Sequence, residues 1–173
     1  MPTPNPSILH AFAAYNRQAN AALVSILSEN PRPCLRDNTT HYGSILSLLA
    51  HISLTDLFWL RRGGITDDNR CTTISLQFST LAEQPFDDLD EWWRHRQRLD
   101  AFIEKYTMSL TREDAKQEVV YISSSNRQYR QPMWQLLLHM FNHQTHHRGQ
   151  IAQVLDHFGV ENDFTNLILY LRD

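Results

Sequence analysis

The chain has 173 residues, a formal charge of −3 and 42% hydrophobic residues, a length that lets one domain bury roughly 70% of its unfolded surface without staples. Its lysines and arginines are scattered and form no basic stripe of the kind that displaces counterions from a nucleic-acid backbone, so no nucleic-acid partner is expected. Cys34 and Cys71 form no Cys-x-x-Cys pair, no opening stretch has signal-peptide character, and no apolar run approaches the roughly 18 residues of a membrane span; the expectation is a cytoplasmic protein with no membrane partner, a single Cys34 to Cys71 bridge staying open.

In chain order, "SILHAFAAYNRQANAALVSILSEN" places Ile8, Phe12, Tyr15, Ala19, Ala22 and Ile26 at steps of three and four behind a candidate N-cap, Ser7. This predicts a first helix, ended by Pro31 and Pro33. A second helix is expected from a cap at Thr39 or Thr40 to Arg61 or Arg62, where Gly63-Gly64 supplies the stop. From Ile65 to Asp88 no long period is visible, and the segment reads as a long connection with a short helix inside it. "DLDEWWRHRQRLDAFIEKYTM" opens with acidic residues, which suit a helix N-terminus, and carries apolar residues at Leu89, Trp92 or Trp93, Leu99, Phe102, Ile103 and Tyr106, predicting a third helix that ends near Leu110.

Val119 to Ile122 favour extended backbone, and Ser123 to Arg127 is turn-like, so a small hairpin is expected there. Pro132 fits the first turn of a fourth long helix that runs to Phe158 and stops at Gly159; "FTNLILYLRD" adds a short one. The fold class is therefore all-α: one four-helix-bundle domain over residues 1–173, with the long second connection allowing a crossover.

The fourth helix carries the chemistry. Leu136, Met140, His143, His147, Ile151, Val154 and Phe158 fall in one stripe of roughly 80° at about 100° per residue, the stripe that should face the core. His143 and His147 thus stand where leucine is expected. Both nitrogens of a buried imidazole need partners, and two protonated rings one turn apart repel, whereas a cation would take one nitrogen from each. His139 lies near the edge of the stripe and His146 about 100° from its centre, so neither is a first choice. A third ligand must come from another helix, and His51 in "LLAHISLTDLFWL" is the candidate, although Ile45, Leu48, Leu49 and Ile52 mark a competing apolar face. His10, His41, His95 and His157 are expected in solvent. Gln150 is placed to orient a ligand, and Gly149 to admit a neighbouring helix. Three histidines without cysteine leave open coordination positions, as a catalytic metal site does. Zinc is the default divalent ion, with nickel, iron, cobalt or manganese also compatible; no catalytic residue beyond the ligands is identified.

"LLLHMFNHQTHHRGQIAQVL", with "ILSLLAHISLTDLFWL" upstream and "DFTNLILYLRD" at the end, resembles the DinB family of damage-inducible proteins. The resemblance implies a bundle with crossover topology, a divalent metal on three histidines that map onto His51, His143 and His147, and a homodimer. It also implies a small-molecule substrate, such as a low-molecular-weight thiol, since relatives include thiol-dependent transferases and proteins labelled metal-dependent hydrolases. Trp92, Trp93 and Phe86 are candidates for either the dimer interface or the core. Three functions follow in order: a metal enzyme activating a thiol or water, a metal-binding protein without chemistry, and a metal-free helical interaction module.

Overall fold

The structure is a computed structural model that describes residues 4–30, 41–65, 78–123, 125–164 and 166–172. Its elements are α1 (Pro6–Glu29), α2 (Ile45–Arg62), α3 (Leu89–Ser109), the short α4 (Arg112–Lys116), the hairpin β1 (Glu118–Ile122) and β2 (Gln128–Pro132), α5 (Met133–His157) and the short α6 (Leu167–Tyr170). It is an all-α bundle with one two-stranded antiparallel hairpin.

Local chemistry sets the ends. Asn5, not Ser7, caps α1 by accepting from the Ser7 N–H, and Pro6 opens the helix, where its missing donor costs nothing. Ser44 caps α2 through the Ser47 N–H; Thr39 and Thr40, like Cys34 and Cys71, lie outside the described residues. Gly63 and Gly64 close α2, Gly64 at φ 68°, the left-handed turn that glycine accepts most cheaply. Asp88 caps α3 through the Glu91 N–H. Pro132 stands at the N-cap of α5, one position ahead of the expected first turn. The described part of the second connection, residues 78–88, holds no helix.

Contacts between named residues give the helix directions. Asn20 on α1 reaches Asp100 on α3, while Arg17 reaches Glu104, so α1 and α3 run antiparallel. Phe12 stacks on Phe141, and Asn16 meets Arg148, so α1 and α5 run parallel. On α2, Leu49 and Ser53 hold the Trp92 indole and Asp56 holds Arg96, which makes α2 and α3 parallel. Two neighbouring parallel helices cannot be joined by a tight turn: the link from Gly63 to Asp88 must return along the length of α2, about 27 Å at 1.5 Å per residue. This is the crossover.

Two apolar clusters fill the bundle. One gathers Leu9, Leu57, Leu60, Leu99, Ile103 and Phe141; the other gathers Leu23, Leu27, Ile45, Leu49, Trp92, Ile151 and Leu155. Trp92 and Phe86 are thus core residues, 0% and 3% exposed, and not an interface; Trp93 packs at the edge of the second cluster.

Candidate metal centre

His51 meets His143 and His147 where α2 and α5 pack antiparallel. His143 Nε2 lies 3.2 Å from His51 Nε2 and 2.9 Å from His147 Nε2, and one ring nitrogen from each residue lies within 4.8 Å of the others. The competing faces of α2 do not compete, because every residue from Leu48 to Leu57 is buried, His51 included. His147 is equally buried, and His143 partly so.

The partners behind two rings fix where their lone pairs point. The Leu81 carbonyl lies 2.8 Å from His51 Nδ1 and the Gln150 Oε1 lies 2.7 Å from His147 Nδ1. Both oxygens only accept, so each Nδ1 carries the proton and each Nε2 turns a lone pair toward His143 Nε2. His143 can offer at most one proton there, to two acceptors. Extra protons are resisted: burial, then His147 and His51, push His143 down to about 3. Burial pushes His147 down to about 4 despite the bond to Gln150, and lowers His51 as well. Three neutral imidazoles that converge on one point are a donor set that could hold a metal ion. Separations of 2.9 and 3.2 Å subtend roughly 90–100° at an ion about 2.05 Å from each nitrogen, between octahedral and tetrahedral values.

The sequence profile of the DinB family matches residues 1–173. The chain belongs to the DinB family. Protein DinB of Bacillus subtilis (strain 168) is 26% identical to it over 160 residues, which cover 91% of this chain and 90% of that one. No solved structure matches the chain.

Around the histidines of this DinB-family chain, Tyr42 stacks on the His51 ring at 4.0 Å between centroids and presents its edge to His147 at 5.6 Å. Gly43, at φ 97°, makes the turn between Tyr42 and the α2 cap. His139 stands outside the group, its ring against Trp59 and 6.3 Å from His143; His146 is exposed beside His147. Of the four histidines expected in solvent, His41 and His157 are exposed and His10 is half-buried. His95 is the correction: it is 4% exposed and packs on Phe86. Gln150 does orient a histidine. Gly149 has only open space where a Cβ would stand, so it admits no neighbouring helix.

Beneath the histidines runs a polar layer that sequence reasoning missed. Asp56 accepts from Arg96 at 2.7 Å and from Gln144 at 2.9 Å; Arg96 also binds Asp100, which accepts from Asn20. Arg148 donates to Gln144 and Asn16. All seven are at most 2% exposed. Burial pushes the Asp56 carboxyl up to about 7, only partly opposed by Arg96. Burial would lower Arg96, but Asp100 and Asp56 outweigh it and hold the guanidinium as a cation. The visible signals were an aspartate inside the apolar run "SLTDLFWL" and Arg96 and Asp100 four apart on α3.

Proposed function

We propose that this chain is a divalent-metal enzyme in which His51, His143 and His147 hold the cation, and a low-molecular-weight thiol enters an open position to attack a small electrophile. The observation that carries this reading is the pair of acceptors behind His51 and His147, which leaves two Nε2 lone pairs converging on His143 Nε2, whose one proton can satisfy only one of them. Zinc suits three imidazoles; nickel, iron, cobalt and manganese also accept such a set. A cation bound there supplies Lewis acidity and lowers the pKa of a coordinated thiol or water.

The chain's own residues do the positioning. The Leu81 carbonyl and Gln150 hold two rings in the required tautomer, and Tyr42 walls one side and keeps the His51 plane fixed. No carboxylate joins the histidine group among the described residues. A hydrolase would want such a base for its water, whereas a thiol gives up its proton on coordination, so thiol transfer ranks ahead of hydrolysis. The same reading takes the working unit to be a cytoplasmic homodimer of one-domain chains.

The test is turnover by the zinc-loaded protein with a panel of thiols and electrophiles. His147→Ala, with an unchanged helical circular-dichroism spectrum, is expected to lose about 100-fold or more, since losing a ligand costs more than losing a partner behind one. Equal turnover by wild type and His147→Ala would contradict the reading. Tight metal binding without turnover of any pair would leave the non-catalytic metal protein in its place.

A further inference from the structure

Two of the three histidines have their outward nitrogens occupied; the third does not. His143 Nδ1 is buried and has no hydrogen-bond partner. If His143 Nε2 is to join the other two lone pairs, the proton must sit on Nδ1, and a buried N–H needs an acceptor.

Across the helix interface is a second unpartnered group. Thr55 is 3% exposed, and its hydroxyl makes no hydrogen bond. That is unusual for a helical threonine, which normally donates to the carbonyl four residues back. Thr107 does so to Ile103 at 2.9 Å, and Thr145 to Phe141 at 3.1 Å. Thr55 lies one turn beyond His51 on the same side of α2, and the Asp56 to Gln144 hydrogen bond at 2.9 Å sets the 55–56 turn beside residues 143–144 of α5. Asp56 itself is turned to Arg96 and Gln144 in the core.

We infer that Thr55 is a positioning residue of the histidine centre: its hydroxyl and His143 Nδ1 share a buried water, which accepts the Nδ1–H and donates to Thr55 Oγ1, completing for His143 what Leu81 and Gln150 do for the other two rings. A buried water needs two to four polar partners, and His143 Nδ1 and Thr55 Oγ1 supply two. The inference rests on the metal reading above, and goes beyond it in assigning a role to a residue that binds no metal.

Thr55→Val keeps the shape and removes the hydroxyl; Thr55→Ser keeps the hydroxyl. The experiment titrates full-length apo-protein with zinc and with cobalt(II), following the cobalt ligand-field absorption and the metal-free melting temperature. Thr55→Val is expected to bind zinc 10- to 100-fold more weakly and to alter the cobalt spectrum, while its apo form melts close to the wild-type temperature, because valine keeps the packing and one hydrogen bond to a water contributes little net stability. Thr55→Ser should stay close to wild type. A residue that served packing alone would move affinity and apo stability together. Unchanged zinc affinity and cobalt spectrum in Thr55→Val would overturn the inference and leave the metal centre standing. Wild-type protein that binds neither ion would overturn both.

Discussion

His143 is the residue on which the electrostatics of the site concentrate, because it faces the other two rings and lacks a partner at Nδ1. His143 and His147 fall from 6.5 to about 3 and about 4 in the folded chain, so below pH 6.5 the unfolded chain takes up protons that the folded chain refuses. Their contribution is complete above about 6.5 and is lost as pH falls through those lower values. Asp56, raised from 3.8 to about 7, works the other way, contributing fully below 3.8 and losing its contribution as pH rises through about 7. His51, also lowered by burial, works with His143 and His147, and these histidines against Asp56 leave a net gain as pH rises from 4. The apo-protein should therefore melt highest near pH 6.5, and a His143→Ala/His147→Ala variant should lose most of the acid-side slope. A wild-type melting temperature flat between pH 4 and 6.5 would contradict the neutral, converging imidazoles. At this scale His143 and His147 were legible because helical period alone puts them on the buried stripe; His51 needed the family resemblance, since period alone left two faces of α2 open. His95 was misplaced because polar neighbours in sequence, Arg94 and Arg96, do not mean a polar environment: Arg96 is itself buried.

α2 and α5 carry the site, and the layer beneath it locks their register. Asn16, Asn20, Asp56, Arg96, Gln144 and Arg148 each sit between residues of the two apolar clusters on their own helix. The ion pairs and hydrogen bonds of this layer form only in one alignment of the four helices, because a slip by one turn would strand buried charges, even though Asn16 Nδ2, Asp56 Oδ1 and Arg148 Nε stay without a partner among the described residues. Asp56→Ala is predicted to destabilise by about 3 kcal/mol, the low end for a broken buried pair because Arg96 keeps Asp100. Asp56→Asn, which retains an acceptor, should cost less. Urea unfolding measures both, and an Asp56→Ala protein as stable as wild type would remove this layer from the account. Long helices with regular apolar spacing, and the hairpin over Val119 to Ile122, were readable from the sequence. α4 was not, although Thr111 and Asp114 form a capping box; five residues are too few to show a period. The polar layer escaped because buried charge is recognised only once the partner helix is known.

For the molecule as a whole, the crossover is more than a connection. α2 and α3 run side by side in the same direction, so the chain between them must travel back along the bundle, and that returning segment brings the Leu81 carbonyl to His51 Nδ1. Topology thus supplies one of the two acceptors that aim the lone pairs, which no reading of helix faces could show. Four helices, one crossing link and a polar layer converge on one point where three imidazoles meet. Such a point calls for a divalent ion. Elemental analysis by mass spectrometry of untagged protein, purified without a nickel column or chelator, beside the His143→Ala/His147→Ala variant, tests it most directly. About one equivalent of a single divalent metal per wild-type chain is expected, and none in the folded variant. Wild-type protein that holds no metal after reconstitution with zinc, nickel and manganese, or a double variant that holds as much as wild type, would contradict it.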